Sequence, residues 1–155
     1  MPIGDPDTPN CVARLGPVTL IERTLRVLHG AGIRHVAITV GWQGHLVRQI
    51  AATAAAQLGM TVSFFDNPDW GAPNGRSVQA ASDFLTERTL LVMADQIAAP
   101  PLVAQLCRLP ATGDKTVLCV DRDLARVFDI DDATKVKLRG TAVMAIGKQL
   151  GAPDA

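Results

Sequence analysis

The sequence predicts an α/β protein: a three-layer α/β/α sandwich with a mostly parallel sheet and an antiparallel hairpin near the C-terminus. Three observations predict it. Short apolar runs of strand composition alternate with stretches of helical periodicity through the first two thirds of the chain. Alternation of that kind calls for a parallel sheet covered on both faces, since each crossover lays a helix over the sheet. In the last third, residues 135–139 alternate polar and apolar, Gly140-Thr141 makes a turn, and residues 142–146 follow as a partner strand.

Each element has its own warrant. Residues 1–17 are rich in Pro, Gly and Asp and read as loop. Over 18–31, Leu20, Ile21, Leu25 and Leu28 fall at helical spacing, and Gly30 and Gly32 bracket the helix end. Residues 36–40 form a β-rich apolar run bounded by Gly41. Residues 44–58 are helical, with Leu46, Val47, Ile50 and Leu58 on one side, and Gly59 ends them before a strand over 61–65. A turn-rich loop fills 66–75. A short helix over 77–85 follows, then an apolar strand over 89–93 that stops at Ala94-Asp95, a helix over 101–109, and a strand over 116–120 ending at Asp121.

Composition bounds the function. With 48% hydrophobic residues in 155, the chain can bury a core without disulfide staples. Lys+Arg and Asp+Glu balance at 15 each, which argues against a general nucleic-acid binder. Cys11, Cys107 and Cys119 have neither metal-ligand nor disulfide-framework spacing, so reduced thiols in a cytoplasmic protein are expected. The N-terminus has no signal-peptide pattern, and no apolar run approaches a membrane span.

In an open α/β sheet, ligands sit beyond the carboxyl ends of the strands. Three polar segments are expected there: Gly41 to His45, Asn67 to Ser77, and Met93 to Gln96. Asp95 is the sharpest candidate, because an apolar strand leads straight to it and Mg2+ bridging triphosphate oxygens needs one or two such carboxylates. A helix cap or a loop bond explains an aspartate there equally well. Asn74-Gly75-Arg76-Ser77 offers backbone N–H groups and a guanidinium to an anion; the plainer reading makes Asn74 or Ser77 a helix N-cap. Asp129 to Lys135 is an acidic turn with a lysine opening a strand: it reads first as a solvated turn with an ordinary surface lysine, with a metal site as the alternative, and it does not match an EF-hand. His29 and His35 read as structural and His45 as a loop residue. Trp42 and Trp70 read first as core or rim packing, with the wall of a pocket as the alternative.

Taken in order, several phrases resemble the sugar- and alcohol-phosphate nucleotidyltransferases, and most resemble CTP:inositol-1-phosphate cytidylyltransferase domains. They are Val18-Thr19-Leu20-Ile21-Glu22-Arg23-Thr24-Leu25, Ala31-Gly32-Ile33, Val40-Gly41, Asn74-Gly75-Arg76-Ser77-Val78, Val92-Met93-Ala94-Asp95, Val120-Asp121-Arg122, Asp132-Ala133-Thr134-Lys135-Val136 and Ile146-Gly147-Lys148. The resemblance runs through almost the whole chain and implies one Rossmann-like nucleotidyltransferase domain over 1–155. It further implies a catalytic Asp95 that holds Mg2+ and a catalytic Lys135 facing the substrate phosphate. Asn74, Gly75, Arg76, Ser77 and Asp121 become the nucleotide- and substrate-binding set. The implied partners are CTP or another nucleoside triphosphate and a phosphorylated alcohol or sugar.

The family opens with a strand and a Gly-x-Gly-x-Arg loop that has no match in this sequence, and Asn10 stands where it has lysine. It also continues past residue 155 into further strands. A second reading of a different class therefore stays open: a degenerate, non-catalytic homologue that binds nucleotide or serves as an interaction module. The natural reading frame is expected to extend upstream of Met1 with the missing strand and loop. Alone, the chain is expected to be unstable, to aggregate, or to pair its open sheet edge with another copy as a homodimer, and to transfer no nucleotide.

Overall fold

The computed structural model describes residues 7–86, 88–110, 113 and 115–151. The first six residues of the expected N-terminal loop lie outside the described residues. The chain divides into two compact units, Met1–Ala111 and Thr112–Ala155.

The first unit begins with a 3-10 turn, Asn10–Val12, and a small antiparallel pair, β1 (Arg14–Leu15) with β2 (Val18–Thr19). Helix α1 (Leu20–Gly30) follows at once. Its start is a capping box read directly from Thr19-Leu20-Ile21-Glu22. The Glu22 N–H donates to the Thr19 hydroxyl oxygen at 3.3 Å, and the Thr19 N–H donates back to the Glu22 carboxylate at 2.7 Å. That N–H, with the Thr19 hydroxyl second, holds the Glu22 carboxyl below its ordinary pKa. The far end wraps in a Schellman motif: Gly32 N–H bonds His29 O at 3.0 Å and Ile33 N–H bonds Leu28 O at 3.1 Å. The wrap needs a left-handed residue, and Gly32 supplies it at φ 92°. Leu20, Ile21, Leu25 and Leu28 are the buried stripe, as the periodicity predicts.

Strand β3 (His35–Val40), helix α2 (Gly44–Leu58) and strand β4 (Thr61–Asp66) make a βαβ unit with a parallel register running from His35 opposite Thr61 to Val40 opposite Asp66. α2 buries Val47, Ala51, Ala54 and Ala55. Its inner face is thus mostly alanine, with Ile50 and Leu58 only partly covered. Helix α3 (Gly75–Ala80) and a 3-10 turn, Ser82–Phe84, take the place of the single helix expected over 77–85. Helix α4 (Pro100–Arg108) closes the unit with Pro in its first turn, where the missing N–H costs nothing. Ile21, Leu25, Leu28, Val36, Val40, Val47, Met60 and Val103 form the heart of one core cluster.

The sheet corrects the sequence reading. Among the described residues the strands form three separate two-stranded sheets, not one long parallel sheet. Residues 89–93 and 116–120 are not strands. An apolar run predicts burial, but a strand also needs a neighbour for its N–H and C=O groups. Over 90–93 burial alternates: Leu90 and Val92 pack on the core, whereas Leu91 and Met93 are 69% and 40% exposed. One face of the segment is covered; the ladder and the second cover are missing. Residues 116–120 lack even the first cover, with Val117 50% exposed.

In the second unit the expected hairpin is present. Strand β5 (Lys135–Arg139) pairs antiparallel with β6 (Ala142–Gly147) around Gly140-Thr141, with an irregularity between Lys137 and Leu138.

Candidate functional site

The carboxyl ends of β3 and β4 carry two loops. Leaving β3, the chain runs through Gly41 and Trp42 to Gln43, the only non-glycine residue with positive φ among the described residues, at 54°. Such backbone is strained and persists only where the surroundings hold it. Here the Gln43 side-chain amide donates to Asp7 O at 2.9 Å, and Gln43 O accepts the Leu46 N–H at 3.0 Å. Gly41 is required by a close approach: a Cβ there would overlap the Cβ of Trp70 and lie 3.2 Å from the Asn67 carbonyl oxygen.

The loop leaving β4 is organised by Asn67, a buried polar residue. Its N–H donates to Val40 O at 2.8 Å, which continues the parallel ladder by one bond. Its side-chain oxygen accepts the Asp69 N–H at 3.0 Å, an Asx turn. Its side-chain N–H donates to the Ser77 hydroxyl at 3.1 Å. The Thr39 hydroxyl donates to Ser77 O at 2.9 Å, so Ser77 is pinned from both the loop and β3. Asn74 stands at the N-cap position of α3, as the plainer of the two sequence readings has it, though its side chain makes no cap bond. Asn74, Gly75 and Arg76 are exposed, and the Arg76 guanidinium donates to the Gln79 side-chain oxygen at 3.1 Å.

Asp95 occupies a half-buried turn after residues 89–93. Its charge reaches Cys11 in the 3-10 turn Asn10–Val12; burial first, and the Asp95 carboxylate second, push that thiol's pKa up. Asp95 offers a hard oxygen ligand that suits Mg2+ when phosphate oxygens and water complete the shell. Among the described residues no group of three or more His, Cys, Asp and Glu is placed to hold a metal without such help.

The second unit holds the remaining candidates. Asp121 is exposed, and its carboxylate accepts the Asp123 N–H at 2.9 Å in an Asx turn. Lys135 is buried, and its ammonium donates to Asp131 O at 3.3 Å, Ala133 O at 3.4 Å and Lys148 O at 2.7 Å. An ammonium has three donors, and three carbonyls take them. Beside it, Lys148 bonds the Asp132 carboxylate at 2.5 Å, and that hydrogen bond, then the charge, lowers the exposed carboxyl's pKa. The acidic turn 129–135 is thus closed by the hairpin's own groups.

Asn74, Gly75, Arg76, Ser77 and Asp95 therefore belong to the first unit, and Asp121 and Lys135 to the second. Sequence reasoning missed the roles of Asn67 and Gln43. The Asn67-Pro68-Asp69 turn was a usable signal for the first; nothing in the sequence marks a left-handed glutamine. His35 is structural as expected: its ring meets Ser63 Oγ at 3.1 Å and Phe84 edge-on at 4.8 Å. No helix among the described residues is long and apolar enough to cross a membrane.

The family model for the MobA-like NTP transferase domain matches residues 7–130, which include Asn74 to Ser77, Asp95 and Asp121. The "Bifunctional IPC transferase and DIPP synthase" of Rubrobacter xylanophilus is 36% identical over 142 residues, 92% of this chain and 31% of that protein. A match of that length necessarily includes Lys135, which lies beyond the family model. The "CMP-5'-(3-aminopropyl)phosphonate synthase" of Streptomyces rubellomurinus is 29% identical over 111 residues, 70% of this chain and 17% of that protein. The chain thus spans a third or less of the length of these curated relatives. With more than half of its residues matched by the family model, the chain belongs to the MobA-like NTP transferase domain family.

Proposed function

We propose that the chain serves cytidylyl transfer from CTP to a phosphorylated alcohol such as inositol 1-phosphate, with release of pyrophosphate. The observation that carries the reading is Asp95. It is half-buried and follows a half-covered apolar segment, in the unit that also holds the braced Asn67 to Ser77 loop. The name of the Streptomyces relative, a CMP-phosphonate synthase, supports a cytidylyl group as the group moved.

In this reaction a phosphate oxygen of the acceptor forms a bond to the α-phosphorus of CTP. The bond from that phosphorus to the α–β bridging oxygen breaks, and its electron pair leaves with pyrophosphate. Asp95 would hold Mg2+, which supplies neutralisation of the triphosphate charge. The chain's own task is positioning and electrostatics. Arg76 exchanges its exposed contact with Gln79 for a phosphate oxygen. Lys135 can meet the acceptor phosphate only by releasing one of its three carbonyls.

That last point favours the second reading, a non-catalytic nucleotide-binding homologue, since Lys135 is already satisfied and Asn10 stands in the lysine's place. Both are tested by pyrophosphate release from CTP with inositol 1-phosphate and Mg2+. Transfer predicts release that Asp95→Asn lowers on the order of 100-fold or more. Saturable CTP binding without release assigns the chain to the second reading. Equal Mg2+-dependent CTP binding by Asp95→Asn and the parent removes Asp95 from the site.

A further inference from the structure

Trp42 and Trp70 leave the carboxyl ends of β3 and β4 on different loops, yet their rings meet, with centroids 6.4 Å apart and planes inclined at 40°. They remain 40% and 58% exposed. A core pair would be covered, so packing alone does not account for them. Their placement is also built. Gly41 stays bare because Trp70 occupies the space a side chain would need. Gln43 holds a strained conformation one residue after Trp42, tied to Asp7. Asn67, buried, fixes the turn three residues before Trp70 and ties it to Ser77. Two large flat faces are thus held toward solvent by a close approach, a strained residue and a buried amide.

A surface of this kind takes a flat, uncharged ring, because every nucleobase has a π-face and stacks without needing hydrogen-bond readout. Asp66 is paired with Arg48 at 2.6 Å, but the exposed Asp69 lies next to Trp70 in sequence and gives a triphosphate no attraction to the rings. Arg76, at the other end of the same loop, supplies positive charge. We propose that the Trp42–Trp70 pair is the seat for the nucleotide's base, with the phosphates directed toward Arg76 and Asp95. This rests on the nucleotide-transfer reading and deepens it by assigning base recognition to two residues outside the Asn74 to Ser77 segment.

The chain carries its own reporter, since these are its only two tryptophans and it has no tyrosine. Intrinsic emission of the full chain is followed while titrating, with Mg2+ present, CTP, inorganic tripolyphosphate and inositol 1-phosphate. Isothermal calorimetry on the same samples gives affinity independently of emission. The seat predicts a saturable emission change with CTP and none with tripolyphosphate. Trp70→Ala should weaken CTP about tenfold and leave tripolyphosphate unchanged. Trp70→Phe should restore most of the loss. Trp42→Ala gives a second measure should Trp70→Ala fail to fold by circular dichroism. If calorimetry shows the parent and the alanine variants binding CTP equally, the seat is wrong and the nucleotide-transfer reading stands. An emission change with inositol 1-phosphate alone makes the pair an acceptor site and overturns the base assignment. No CTP binding by the parent overturns both.

Discussion

The two units are stabilised by different means. The first has a core: Leu25 is essentially inaccessible, and the buried faces of α1 and α2 and of β3 meet around it. The second has a hairpin in which Lys135 and Val136 are the buried residues among those described, while Phe128, Val143, Met144 and Ile146 are exposed. An isolated hairpin is marginal in water. What fixes this one is polar: one ammonium on three carbonyls and one lysine–aspartate pair. The teaching is that one domain family's chain can hold half of its candidate site on hydrophobic burial and the other half on a few directed charges.

The largest expected effect lies in the core of the first unit. Leu25→Ala should cost about 2–5 kcal/mol, since it removes buried methyl groups and leaves a cavity. Urea denaturation followed by tryptophan emission reads the first unit alone, and a loss under about 1 kcal/mol would show that the core is not what stabilises it. From the other side, Lys135→Met should strip amide protection from β5 and β6 and leave that of α1 and α2 unchanged. Hydrogen exchange makes the measurement; each charge-assisted bond lost is worth about 1.5–3 kcal/mol. Unchanged protection in the hairpin would mean that Lys135 is free to serve substrate.

Smaller changes sharpen the contrast. Thr19→Ala deletes the α1 cap and should cost about 1 kcal/mol in the first unit. The smallest expected effect is a pH dependence. Glu22 has its folded pKa depressed below the ordinary 4.5, so its contribution is present above pH 4.5 and is lost as pH falls through the folded value. Acid titration of stability should show a small loss in that window that Glu22→Gln abolishes. The carboxylate is largely exposed, so salt should shrink the effect.

Much of the first unit was legible because helices announce themselves locally. Leu20, Ile21, Leu25 and Leu28 mark the face of α1, Gly32 and Gly59 mark helix ends, and the C-terminal hairpin was visible in its alternation and its Gly-Thr turn. The long sheet was not legible, because strand composition at 89–93 and 116–120 reports apolarity and says nothing about which backbone accepts its hydrogen bonds. The site was legible at Asp95 and Asn74 to Ser77 as positions, not as contacts. That Ser77 is held by Thr39, 38 residues away, and that the Lys135 ammonium reaches the Lys148 carbonyl, 13 residues on, are facts with no local signal.

Asn67 has a consequence for the kinetics of the site. Between Pro68 and Asn74 no side chain is buried, so this stretch is held at its start by the Asn67 amide and at its end by Ser77. Neutral hydrogen bonds of about 0.5–1.5 kcal/mol each, with the Trp70 contact on Trp42, hold it far less firmly than burial holds the core. Opening there proceeds without unfolding the core beneath it, in the manner of a separate low-stability segment. Ligand entry can then be gated by a local equilibrium that a single substitution, Asn67→Ala, shifts toward the open form, raising the rate at which ligand leaves before any change in the melting of the whole chain is seen.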